Sequence, residues 1–258
     1  MLIDTHAHLF LDQFKEDLPE VIQRSKSNGV ELCLMPNIDL ETIDDLKSTY
    51  SQDPSFFRKM MGLHPTSVAE NWEEQLEGIK TELFSNQEEY IAVGEIGVDL
   101  YWEQKLKAAQ ENAFREQLLW GIELKKPVVI HVRDSFDECL RIVEEVNHPD
   151  LRGVFHCFTG NLNQVNRIQE FGDFYIGVGG VLTFKNSGLD STLLNVPLSS
   201  MILETDSPFL APTPHRGKRN ESSYIRLVAE RLAEVKDTSI EELEEITTSN
   251  AKKLFNLD

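Results

Sequence analysis

The chain opens MLIDTHAHLF, which places Asp4, His6 and His8 two residues apart in an otherwise apolar segment. In a β-strand, residues i, i+2 and i+4 project to one side, so the three would share a surface while Thr5 and Ala7 face the other. That surface can hold a divalent cation. The plainer alternative makes one histidine a hydrogen-bonded core residue and the other a polar strand end. Ionisable residues recur at the ends of later apolar runs: His64 in GLHP, Glu95 in VGEIGVD, His131 in VVIHVRD, His156 in VFHCF and Asp206 in ILETDSPFL. Gathering so many ionisable groups is costly unless a cation compensates them. A mononuclear catalytic site normally takes three protein ligands and keeps one position open. His6, His8, Glu95, His131, His156 and Asp206 exceed that and suggest two metals. His6, His8 and Asp206 fall to one ion, His131 and His156 to the other, and Glu95 to both. Two neighbouring cations clamp the attacking and leaving oxygens of an in-line displacement and acidify a bound water, so the expected chemistry is hydrolysis.

These residues converge only if the elements carrying them do. Short β-prone runs predict strands near Leu2–His6, Val30–Met35, Lys59–His64, Tyr90–Glu95, Val128–Val132, Val154–His156, Phe174–Val178 and Met201–Glu204. Segments of helical spacing separate them, as from Gln110 to Lys125, where Phe114, Leu118 and Ile122 recur every four residues. Near the C-terminus, Ser239 and Glu242 have the spacing of a capping box ahead of Ile240, Leu243 and Ile246. Strands alternating with helices imply a parallel sheet. Eight such units in about 250 residues match a closed (β/α)8 TIM barrel, with a doubly wound open sheet as the alternative. In a barrel the C-terminal strand ends meet at one mouth, which is where the candidate ligands fall. With no repeat or linker visible, the expectation is a single domain spanning residues 1–258.

Composition narrows the partners. The formal charge of -19 argues against non-specific binding to a polyanion, so any nucleic-acid role must rest on a local site. The three cysteines, Cys33, Cys139 and Cys157, form no close pair and suit a reducing, cytoplasmic setting. No apolar stretch approaches a membrane span, and no secretory leader is visible.

With these residues placed, the sequence resembles the TatD-type metal-dependent deoxyribonucleases, a (β/α)8 branch of the amidohydrolase-like metal hydrolases. The resemblance runs nearly end to end through IDTHAHL, GLHP, VGEIGVDLYW, PVVIHVRD, FHCFTG, ILETDSPFLAP, PHRGKRN and SNAKKLF. It implies hydrolysis of DNA phosphodiesters, trimming from the 3′ end, and the same six metal ligands. The family commonly continues RGKRNEP, whereas here Ser222 follows Glu221. Many binuclear relatives acting on other esters and amides bridge their metals with a carboxylated lysine; Glu95 in that place favours the nuclease branch.

Around the six ligands the expected roles are these. Asp206, and with it Glu95, serves the chemistry, Asp206 accepting a proton from the attacking water. Glu204, two residues earlier, orients a ligating histidine. His64 and Arg133 contact substrate, although a structural salt bridge is an equal reading for Arg133. His215, Arg216, Lys218 and Arg219 form the dense basic cluster of the chain and contact flanking phosphates, unless they are a solvated loop. Tyr101 and Trp102 stack on a base or pack at the rim. Cys157 points away from His156, and His148 is a turn residue. The cofactor expectation is two divalent ions per chain, magnesium, manganese or zinc. The partner expectation is single-stranded DNA or its 3′ ends, with no membrane and no obligate protein partner. Two further functions compete: hydrolysis of a small-molecule or aminoacyl-tRNA ester, and a binding barrel without catalysis.

Overall fold

The computed structural model describes residues 1–102 and 104–257. Eight strands, β1 (Leu2–Asp4), β2 (Val30–Pro36), β3 (Phe57–Met61), β4 (Tyr90–Asp99), β5 (Val128–Arg133), β6 (Gly153–Phe155), β7 (Phe174–Val178) and β8 (Met201–Leu203), pair in that order. Every neighbouring pair is parallel. β8 returns beside β1, where Thr5 N–H donates to Leu203 O (3.1 Å) and Ala7 pairs with Ser207. The arrangement is the TIM barrel, not the open sheet. Among the described residues, no helix is long and apolar enough to cross a membrane.

The helices between strands are α1 (Leu18–Ser27), α2 (Ile43–Gln52), α3 (Trp72–Ser85), α4 (Lys107–Glu123), α5 (Phe136–Val146), α6 (Leu162–Glu170) and α7 (Leu189–Leu193), followed by α8 (Ile225–Lys236) and α9 (Ile240–Phe255). Ser239 caps α9 by accepting the N–H of Glu242 (3.1 Å), but the Glu242 carboxylate bonds the Thr238 hydroxyl (2.6 Å). Half of the expected capping box is therefore present.

Alternation along the strands sorts the core into two layers. Leu34, Met60, Ala92, Val129, Val154, Tyr175 and Ile202 fill the barrel interior, while Val93, Val128, Phe155 and Leu203 join the outer core under the helices. Burying such side chains contributes roughly 1.5–3 kcal/mol each. The last turn of α9 adds Ala251, Leu254 and Phe255 to the inner cluster. Asn250 anchors that helix on Leu198 O and Met201 O, where β8 starts, so α9 closes the floor of the barrel.

Stepping two residues from Val129, Val154 and Ile202 puts His131, His156 and Glu204 in the next inward layer. Glu95 arrives differently. Val93 and Ile96 both belong to the outer core, three residues apart, and the β4 register shifts between them. The irregularity resets the alternation, turning Glu95 into the mouth when strict alternation from Val93 would face it outward. Two glycines make room there. A Cβ on Gly177 would sit 2.2 Å from Glu204 Oε2, and Gly97 has φ 146° with its Cβ position 2.1 Å from His131 O.

Candidate metal centre

The opening segment departs from a simple strand. β1 ends at Asp4, whose buried carboxylate accepts the N–H and hydroxyl of Thr205 (2.9 and 2.7 Å). Burial pushes Asp4 up to about 7 despite these bonds and one from Ser222. Asp4 thus does not share the face of His6 and His8, because the chain leaves the strand between them. Beyond Asp4 the segment lies against the chain that follows β8: Asp206 N–H donates to His6 O (2.8 Å) and His8 N–H to Ser207 O (2.7 Å). These bonds lock Asp206, at φ 58°, beside the two histidines.

Glu95 lies at the centre, and its two oxygens face different groups. Oε2 is 3.1 Å from His6 Nε2 and 3.4 Å from His8 Nε2. Oε1 is 2.7 Å from His156 Nε2, 2.8 Å from His131 Nδ1 and 3.2 Å from His64 Nε2. Asp206 Oδ1 lies 3.9 and 3.8 Å from the Nε2 atoms of His6 and His8. The rings of His6 and His156 stack at 3.9 Å. Three overlapping sets have metal-ligand spacing: His6, His8 and Glu95; His6, His156 and Asp206; and His64, Glu95 and His131. All six sequence-derived ligands are therefore together, joined by His64.

Burial opposes charge at Glu95, but His156, His64, His6 and a bond from His131 outweigh it and hold the carboxyl well below its usual range. At Asp206 burial, joined by the Glu95 and Glu204 charges, prevails over His156 and His8 and lifts the carboxyl to about 6. Burial, with His156 nearby, drives His6 well down. Burial works the same way on His156 but loses to Glu95 and Glu204, which raise it.

The donors suit cations. His131 faces a carboxylate at each nitrogen, Glu95 at Nδ1 and Asp99 at Nε2 (2.9 Å), so a neutral ring always turns one lone pair toward negative charge. His6 and His8 oppose their Nε2 atoms at 3.2 Å, a contact that is a hydrogen bond only when one of the two presents a lone pair. Buried His6 Nδ1, His8 Nδ1, His156 Nδ1 and Glu204 Oε2 have no hydrogen-bond partner among the described residues. Divalent ions relieve this crowd of lone pairs, and the mixed nitrogen and oxygen set can ligate them. Metal removal should therefore cost stability. Each ion present at 100 times its dissociation constant contributes about 2.7 kcal/mol, roughly 5–10 °C in Tm for a chain of this size. Thermal unfolding with added metal or with chelator checks this, and coincident curves would contradict it.

The surrounding residues divide. Asp99, not singled out by its sequence pattern, accepts Tyr101 N–H (3.0 Å) and Trp102 N–H (3.1 Å) while engaging His131. Its spacing of four from Glu95, which keeps it on the same side of β4, was the available signal. Glu204 lies 3.6 Å from His156 Nδ1 and accepts Cys157 N–H, so it braces the chain around that histidine. Cys157 has φ 45°, past the end of β6, so strand alternation does not govern it; burial and the Asp206, Glu204 and Glu95 charges keep its thiol protonated. Arg133 stacks over Tyr101 at 3.9 Å at the exposed rim. His148 accepts Asp150 N–H in an exposed turn.

The basic cluster does not enter the centre. His215 stacks on Tyr224 (4.1 Å), Arg216 lies over Phe184 (3.4 Å), and Lys218 is exposed. Arg219, expected on a phosphate, is engaged by Asp17 through two bonds of 2.7 Å and by Gln13 O (2.6 Å). Arg24 closes the network by gripping Glu221 at 2.7 Å. The bond from Arg219 lowers Asp17; at Glu221 burial opposes the shift, but Arg24 prevails and lowers it too. Both pairs therefore stabilise the chain above the unfolded carboxyl pKa of about 4 and lose that contribution as pH falls through the folded values. Asp17→Asn should cost about 1 kcal/mol or less at pH 7, since these groups are partly exposed. The difference from wild type should shrink below about pH 4, as followed by denaturant unfolding.

A closed parallel barrel with a buried histidine and carboxylate cluster at its C-terminal mouth defines an amidohydrolase-like metal hydrolase. The chain belongs to the TatD related DNase family, whose model matches residues 3–256. It is 38% identical to the uncharacterized metal-dependent hydrolase YabD of Bacillus subtilis (strain 168), over 100% of both chains. It is 28% identical to the 3'-5' ssDNA/RNA exonuclease TatD of Edwardsiella piscicida, covering 99% of this chain and 100% of that one. Among solved structures, the TatD homologue YjjV of Escherichia coli K12 superposes with a TM-score of 0.93 at 28% identity, over 100% of this chain and 98% of the other.

Proposed function

We propose that this chain is a divalent-metal-dependent deoxyribonuclease, acting as a single catalytic domain that trims single strands from the 3′ end. The division of Glu95 between two imidazole groups carries the reading: Oε2 toward His6 and His8, Oε1 toward His131 and His156. That geometry supports two ions, with His6, His8 and Asp206 holding one, His131 and His156 the other, and Glu95 shared. Magnesium, manganese and zinc all suit such donors. When bound, the ions supply Lewis acidity and a water that ionises near neutral pH.

The protein groups do the rest. Asp206, raised to about 6, is poised to take the proton of the attacking water at its carboxylate. His64, with Nδ1 accepting Thr66 N–H (3.1 Å), directs Nε2 into the centre, where an N–H can hold a phosphate oxygen. Arg133 at the exposed rim is the candidate contact for a flanking phosphate, together with the loop of His215, Arg216 and Lys218, which Arg219 fixes through Asp17. The family match and the exonuclease relative support DNA as substrate. The free thiols of Cys33, Cys139 and Cys157 suit the cytoplasm.

End-labelled single strands and matched duplexes, digested by one metal-loaded preparation across a salt series, test the reading. Single strands should shorten from the 3′ end faster than blunt duplex. Faster cutting of duplex interiors, or ester turnover exceeding that of DNA, would reject it.

A further inference from the structure

Two exposed aromatic shelves face each other across the mouth. One follows β4, where Tyr101 and Trp102 are 55% and 67% exposed and Arg133 lies over them. The other follows β8, where Phe209 is 48% exposed and meets the His8 ring edge-on at 6.3 Å between centroids. β4 and β8 are four places apart in an eight-stranded barrel and hence diametrically opposite. The histidine and carboxylate cluster lies between them.

A single exposed aromatic needs no explanation. These two are each braced by a buried polar side chain, one bonded to the centre itself and the other to the chain beside it. Asp99 holds the N–H groups of Tyr101 and Trp102 with one oxygen and His131 with the other. Asn220 donates to Phe209 O (2.7 Å) and Thr205 O (2.8 Å), the latter next to Asp206. Both shelves are therefore fixed relative to the reacting position.

We propose that the shelves hold the two nucleobases flanking the phosphate presented to the cluster, one on Phe209 and the other on the Tyr101 and Trp102 platform. The inference rests on the nuclease reading above and specifies its substrate as a strand unpaired on both sides of the scissile bond. Stacking accepts any base, so the site selects strandedness and not sequence. A base held in a duplex is not free to lie on either shelf, which gives the single-strand preference a structural cause.

Metal-loaded Phe209→Ala and Trp102→Ala, compared with the ring-keeping Phe209→Tyr and Trp102→Phe, test the assignment. The substrates are an intact single strand and strands abasic at the terminal or the penultimate nucleotide. Each alanine variant should raise KM for the intact strand by about tenfold or more, with a smaller change in kcat. Each loss should disappear on one abasic strand, a different one for the two variants, and the ring-keeping variants should resemble wild type. Losses that persist undiminished on both abasic strands, or no rise in KM, would overturn the shelves while leaving the nuclease reading intact. A wild-type enzyme that neither cuts nor binds any of these strands would overturn both.

Discussion

Asp206→Asn should lower the hydrolytic rate by about 10²–10⁴-fold or more while the chain stays folded, because the amide keeps the volume but cannot accept a proton. The native carboxyl is well placed as a proton acceptor, being partly open to solvent, raised to about 6, and tied through its own N–H to His6 O. Its oxygen is farther from the histidines than those of Glu95, at 3.8 and 3.9 Å, so loss of rate should exceed loss of metal. Single-turnover rates measured beside metal content separate the two. A variant near wild-type rate would remove Asp206 from the chemistry.

Glu95→Gln should act in the opposite proportion. Its two oxygens lie within 3.4 Å of histidines of both imidazole groups. Removing one charge from a buried, paired constellation costs about 3–5 kcal/mol, roughly 10²–10⁴-fold when it falls on affinity. Both ions should weaken together, whereas His6→Ala and His131→Ala should each chiefly weaken one. Metal analysis after equilibrium dialysis distinguishes these patterns. Retention of two tightly held ions by the glutamine variant would refute a shared Glu95.

Much of this centre is legible because parallel strands announce themselves as apolar runs, and a histidine or carboxylate closing such a run has few structural reasons to be there. His131 and His156 follow from counting two residues beyond Val129 and Val154. Counting fails at Glu95, where the β4 register shifts, and at Asp4, where the strand stops and the carboxylate turns to Thr205. Asp99 stays hidden in the sequence because its partner, His131 Nε2, comes from another strand. Arg219 misleads for the converse reason. A run of basic residues reads as one unit, yet Asp17, 202 residues away, takes one of its members into the scaffold. Pattern reports which way a residue faces, while long-range pairing decides what it is free to touch.

The sealed floor of the barrel has a kinetic meaning. With Leu254 and Phe255 joined to the inner cluster, the described residues close the barrel beneath the carboxylates and leave the mouth as the way in. Arrival and departure share a doorway. Under the strand-trimming function proposed above, the freed nucleotide must clear the opening before the new terminus can advance into it. Product inhibition and the tendency to let go between cuts then become two readings of one dead-end vessel.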